Sequence, residues 1–214
     1  MYAHFIKRVL DFIIALLIII CLSPIYLVLI IVLSFANKGA GVFFCQDRPG
    51  KDEKIFKAIK FKSMTDEKDA DGNLKSNAER ITPIGKFMRK TSLDELPQMF
   101  NVINGDMALI GPRPLLVNYL PYYTDRERLR HSVRPGITGY AQTHGRNNLS
   151  WDERLAMDVY YVEHLSFGMD VKIFFRTIWN IIARKDINIV TGTSGEKKRL
   201  NLDEERKDRI NNEK

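Results

Sequence analysis

The sequence predicts an α/β protein, mostly helical, built from an N-terminal membrane helix and a small basic domain with short strands. Three observations carry this reading. Residues 12–36 contain no charged side chain and are nearly all Ile, Leu, Val, Phe or Ala. Short apolar pieces between glycine and proline follow them, and a helical apolar pattern recurs at residues 167–184. The 214 residues are 45% hydrophobic and 28% charged, which excludes a disordered or fibrous chain. The mean hydropathy of −0.21 resembles that of a soluble protein only because the first 37 residues and the remainder average out.

The apolar run is long enough to cross a bilayer, which takes roughly 20 residues. It is too long for a cleavable signal segment, and Phe35-Ala36-Asn37-Lys38 is a poor cleavage site. Ser23-Pro24 falls in its middle, where proline removes a backbone bond and frees the carbonyl near Ile20, for which the Ser23 hydroxyl is a candidate partner. Two apolar halves of about a dozen residues could not cross separately. Lys7 and Arg8 precede the run and Lys38, Arg48 and Lys51 follow it, so charge asymmetry selects no side. A kinked spanning helix and a hairpin with both ends on one side satisfy these facts equally.

Residues 38–190 read as one compact domain. Gly39-Ala-Gly41 and Arg48-Pro-Gly50 bound an apolar piece at Val42-Phe43-Phe44, and residues 55–64 alternate apolar and basic side chains as an edge strand or short helix would. Residues 66–79 are polar, with Asp71-Gly72-Asn73 as a turn in an exposed loop. In residues 167–184 the side chains of Phe167, Val171, Phe174, Phe175, Ile178, Ile181 and Ile182 share a helical face. This amphipathic helix suits a membrane interface or a core equally well. Residues 191–214 read as a charged tail, flexible and dispensable.

Thr91-Ser-Leu-Asp94-Glu95-Leu-Pro97-Gln is the most informative stretch. Asp94 as an N-cap, with Ser92 and Glu95 at capping-box spacing, would explain it structurally. A helix N-terminus also binds anions, and two carboxylates there could hold Mg²⁺ and present a nucleophile to phosphate. Downstream, Gly111-Pro-Arg113-Pro114, Arg134-Pro-Gly-Ile-Thr-Gly139 and His144-Gly-Arg146-Asn147 each set an arginine among turn residues. Guanidinium groups match phosphate oxygens bidentately, which makes Arg113, Arg134 and Arg146 candidate ligand-binding residues. The sequence has no P-loop and no dinucleotide fingerprint. Two cysteines and the lack of zinc-ligand spacing exclude a disulfide framework and a structural zinc site.

Together with Lys60-Phe-Lys-Ser-Met64, Gly105-Asp-Met107 and Asp158-Val-Tyr-Tyr-Val162, these motifs resemble, in order and to about residue 184, the bacterial sugar transferase family. Its small monotopic phosphoglycosyl transferases begin glycan assembly on polyprenyl phosphate. The resemblance implies a re-entrant membrane helix broken at Ser23-Pro24, which favours the one-sided topology. It implies Asp94 as nucleophile, Glu95 assisting at a Mg²⁺ site, Arg113 on a phosphate, and functional positions at Lys60 and Asp158. It further implies location at the cytoplasmic face of a bacterial inner membrane, a UDP-sugar donor and a polyprenyl phosphate acceptor. The likeness is nearest to members that start protein glycosylation with UDP-N,N'-diacetylbacillosamine; another UDP-N-acetylhexosamine, UDP-galactose or UDP-glucose are the alternatives. Tyr140 and His144 replace the Trp and Asn of many relatives, which bears on donor recognition.

Two other readings compete. The net charge of +7 would suit a non-enzymatic adaptor on anionic lipid or nucleic acid, but it leaves Asp94-Glu95 beside three arginine loops unexplained, and no nucleic-acid partner is expected. A metal-dependent phosphodiesterase would need no acceptor.

Overall fold

A computed structural model describes residues 2–145, 149–183 and 201–212. After a π-helical turn at Tyr2–Ile6, helix α1 runs from Lys7 to Ala36 as one helical element with Pro24 inside it. The expected helix–break–helix is therefore not seen as two elements. The Ser23 hydroxyl donates to the Ile20 carbonyl at 2.8 Å, the side-chain compensation that an interior proline calls for.

One stripe of α1 is docked along the rest of the chain. Lys7, Asp11, Ala15, Tyr26, Leu29 and Leu33 are buried, and Ile18, Ile19 and Leu22 pack between them. These positions recur every three or four residues and so line one face. The opposite face exposes Phe12, Leu16, Leu17, Ile20, Leu27, Val28, Ile31 and Phe35.

Strands β1 (Phe43–Pro49) and β2 (Ile55–Phe61) form an antiparallel hairpin with Phe43 opposite Phe61 and Pro49 opposite Ile55. The alternation of residues 55–64 is thus a strand. The polar loop after it contains the expected turn, in which Asp69 Oδ1 accepts the amides of Asp71 and Asn73 while Gly72 takes a positive φ. Helices α2 (Asn77–Arg80), α3 (Pro83–Thr91) and α4 (Gln98–Asn104) come next, with a 3₁₀ turn at Leu93–Glu95 between the last two.

Strands β3 (Ala108–Ile110) and β4 (Gly136–Thr138) pair in parallel, bringing two arginine loops together. The Gly111 amide donates to Thr138 and the Gly136 amide to Pro112. A side chain on either glycine would collide with backbone 2.0–2.5 Å away, so the contact requires bare backbone there. Between these strands lie 3₁₀ turns at Val117–Tyr122 and Leu129–Ser132 and the single turn α5 (Asp125–Arg128). After β4 come α6 (Tyr140–His144), α7 (Trp151–Glu163) and α8 (Phe167–Ile182).

On α8, Asp170 and Ile173 face inward, whereas Phe167, Phe174, Phe175, Ile178, Trp179 and Ile181 are exposed. Its apolar stripe is outward, not core. Within the segment read as a flexible tail, Leu202–Asn212 forms helix α9. Leu202 is fully buried with Tyr119, Trp151 and Leu155. Arg206 bonds both carboxylate oxygens of Glu127, Asp152 and the Tyr122 carbonyl. The charge that made this tail look solvated is what fastens it.

Candidate active site

The turn that carries Asp94 and Glu95 arises because α3 stops at Ser92, which adopts a left-handed conformation (φ 57°, ψ 18°). The chain then makes one 3₁₀ turn before α4 begins after Pro97. Asp94 is not an N-cap, and the Ser92 side chain makes no capping hydrogen bond. The carboxylates sit on a short turn between two helices, so the structural explanation available from sequence does not account for them.

Glu95 is gripped from two sides. Lys60 Nζ on β2 and Arg113 Nη2 on the loop after β3 each donate to Glu95 Oε1 at 2.6 Å. Arg113 Nη1 reaches the second oxygen at 3.5 Å. Burial alone would push the Glu95 carboxyl up, but Arg113 and Lys60 outweigh it and hold its pKa at about 2. Asp94 is half-buried and receives no hydrogen bond from a cation among the described residues. Its pKa is raised, first by burial and then by the Glu95 charge, against opposition from Lys60 and Arg89. One turn thus carries a carboxylate locked as an anion and a second left free and less acidic.

Arg113 is itself positioned from behind. Arg130 Nη2 donates to the Arg113 carbonyl at 2.6 Å, while Arg130 Nε and Nη2 bond Asp158 Oδ2 at 3.1 and 2.8 Å. The side chains of Arg130 and Asp158 are 2% and 4% exposed. Asp158 is therefore out of reach of a ligand and braces the Arg113 loop through Arg130. Arg134, also expected at a ligand, donates instead to the Gly105 carbonyl at 2.9 Å, where α4 ends. Arg8 donates to the Val102 and Ile103 carbonyls nearby. Two cations at a helix C-terminus satisfy its last carbonyls and oppose its dipole. Arg146 lies outside the described residues.

Of the residues singled out from sequence, the fold thus joins Lys60, Asp94, Glu95 and Arg113, with Asp158 buried behind the Arg113 loop. Sequence reasoning passed over Arg89, whose charge acts on Asp94, and Arg130, which no motif or periodicity marks.

Asp94 and Glu95 offer the hard oxygen donors that suit Mg²⁺, an ion that keeps waters and takes one or two carboxylates plus substrate phosphates. Among the described residues no cluster of three or more His, Cys, Asp or Glu side chains is present, so these two and a bound phosphate would form the ligand set. The freer oxygens are those of Asp94 and Oε2 of Glu95.

A free carboxylate beside a second one gripped by two cations is an arrangement suited to a phosphate ester. The family model described as bacterial sugar transferase matches residues 2–184, and the chain belongs to that family. It is 44% identical over 191 residues to the uncharacterized sugar transferase EpsL of Bacillus subtilis, covering 89% of this chain and 94% of that one. It is 41% identical over 183 residues to a UDP-glucose:undecaprenyl-phosphate glucose-1-phosphate transferase of Klebsiella pneumoniae. That match covers 81% of this chain and 39% of the relative. It is 40% identical over 187 residues to a UDP-N-acetylgalactosamine-undecaprenyl-phosphate N-acetylgalactosaminephosphotransferase of Aeromonas hydrophila, covering 83% and 44%. The chain spans about two fifths of the length of these last two relatives.

Proposed function

We propose that the protein transfers a sugar 1-phosphate from a UDP-sugar to undecaprenyl phosphate, releasing UMP, as the first membrane step of glycan assembly. The donor is a UDP-hexose or UDP-N-acetylhexosamine; the relatives named for glucose and N-acetylgalactosamine support that class, and UDP-N,N'-diacetylbacillosamine belongs to it. The observation that carries the reading is the free Asp94 carboxylate beside a Glu95 already neutralised by Lys60 and Arg113.

The chemistry follows from these residues. Ionised Asp94 needs no general base to attack the sugar-linked phosphorus, with UMP as the leaving group. The aspartyl phosphosugar is an acyl phosphate, and the phosphate of the lipid acceptor displaces Asp94 to form the new pyrophosphate. An anhydride is exchanged at each step, so no external energy source enters. Lys60 and Arg113, held by Glu95, place positive charge where the phosphoryl oxygens gather. Asp94 and Glu95 are the protein donors for Mg²⁺, which would offset the diphosphate charge when bound.

The membrane arrangement belongs to the same proposal. Both ends of α1 are tied to one domain, Lys7 to Asp170 at 2.8 Å and Asn37 Nδ2 to the Lys62 carbonyl at 2.9 Å. This supports a monotopic protein with both ends of the helix on the cytoplasmic side, where UDP-sugars are made. The outward apolar faces of α1 and α8, joined where Tyr2 meets Phe167, would lie in the lipid.

Incubation with UDP-sugar and no acceptor is expected to add one sugar-phosphate mass to the intact protein. Asp94→Asn is expected to abolish the adduct and at least about 10³-fold of the turnover. An adduct that persists in Asp94→Asn overturns the assignment. UMP release that needs no acceptor over many turnovers would favour a hydrolase.

A further inference from the structure

We infer that Arg48 is a further substrate-binding residue, a second guanidinium for the diphosphate of the donor. The inference rests on the phosphotransferase reading above. Arg48 is half-buried near the end of β1, yet its hydrogen bonds go only to neutral oxygens, Gln46 Oε1 at 2.6 Å and the Pro114 carbonyl at 3.4 Å. Among the described residues it forms no ion pair. Lys60 and Arg113, by contrast, are both matched to Glu95.

A partly desolvated guanidinium without an anion is costly, and it is kept where a ligand supplies the anion. The neighbourhood identifies that ligand. Pro114 follows Arg113 directly, and the Arg48 charge feels those of Arg113 and Glu95. Phe44, Gln46 and Arg48 alternate onto one face of the hairpin, and Lys60 stands opposite Phe44 on that same face. Arg48 and the strand position of Lys60 are then about 13 Å apart at ~3.3 Å per residue, and long side chains reach inward from both ends. Arg113 enters from the neighbouring loop. The result is a cationic track beside Asp94, in which Lys60 and Arg113 share the single charge of Glu95 and Arg48 has no anion among the described residues.

Both substrates bring phosphate. The contact with the Arg113 loop favours the donor: Arg48 bonds the carbonyl of Pro114, the residue after Arg113, and so stands beside the cations that flank Asp94. Separate donor and acceptor constants distinguish the two sources.

The test is Arg48→Gln, which keeps a donor for the Pro114 carbonyl and removes the charge, with Arg48→Lys as the conservative companion. In acceptor-free assays, the donor concentration for half-maximal UMP release is expected to rise at least about tenfold in Arg48→Gln, the scale of one charge-assisted hydrogen bond. Arg48→Lys is expected to be intermediate, because it keeps charge without the planar fork. The Michaelis constant for polyprenyl phosphate should stay within about twofold. Calorimetry with inorganic pyrophosphate should show the same ranking without any turnover. Parent-like donor and pyrophosphate binding in a folded Arg48→Gln overturns the proposal, and parent-like values in Arg48→Lys do so if Arg48→Gln does not fold. A rise in the acceptor constant alone overturns the donor assignment. If the parent releases no UMP from any UDP-sugar, the functional reading fails, and the pyrophosphate ranking still decides the role of Arg48.

Discussion

Asp94 and Glu95 are adjacent carboxylates that the fold drives in opposite directions. Glu95 is ionised at neutral pH with a wide margin, because Arg113 and Lys60 hold it at about 2. Its folded pKa lies below its ordinary value of 4.5, so the stability it contributes is fully present above about pH 4.5 and is lost as pH falls toward 2. Asp94 is displaced upward, and for a nucleophile that must be ionised the sign is the reverse. The rate of UMP release without acceptor is expected to fall with decreasing pH through a pKa above the usual aspartate range. A single-turnover pH profile with its acid limb below about pH 4 would contradict this. The upward shift also means that ionised Asp94 costs folding free energy at neutral pH. Asp94→Asn is therefore expected to melt no lower than the parent in a thermal scan, so that its lost activity is not lost structure.

At the scale of elements, the sequence made the hairpin strands and α8 legible because period-2 and period-3.6 patterns survive in their side chains. The direction in which α8 faces was not legible, since one amphipathic pattern serves a core and an interface alike. The Asp94 turn departs from the expected N-cap for a definite reason. Ser92 takes a left-handed conformation, which sequence does not announce in a non-glycine residue, and this splits one expected helix start into a 3₁₀ turn and a later helix. The family likeness singles out Asp158, but its partner Arg130 lies 28 residues away in the chain, and only the fold joins them. In residues 202–212 the charge conceals a docked helix. Leu202 on α9 fills a cluster with Tyr119, Trp151 and Leu155, so Leu202→Ala is expected to destabilise the protein by about 2–4 kcal/mol. A melting temperature within a degree of the parent would show that the helix does not dock.

For the whole molecule, the governing fact is the placement of apolar surface. The exposed faces of α1 and α8 carry more large apolar side chains than water would tolerate on a monomer, and they meet near Tyr2 and Phe167. A protein lying in one leaflet accounts for them and for the shared attachment of both α1 ends. Cysteines placed at Tyr2 and Lys38, in a chain whose Cys21 and Cys45 are replaced by serine, are expected to react with an impermeant thiol reagent from the same side of sealed vesicles. Labelling from opposite sides would mean a spanning helix.

The docked stripe on α1 makes anchor and enzyme inseparable. Ala15 is wedged among Phe56, Ala58, Met99, Val102 and Met107, and Leu33 among Phe61 and Met88, so the first 37 residues complete two cores that the remainder cannot close. Trimming them away to obtain a freely dissolving fragment would strip hydrophobic interior bare beneath the very turn that bears Asp94. Nor could a borrowed transmembrane segment stand in for them, because tethering would return the polypeptide to the bilayer without refilling its heart.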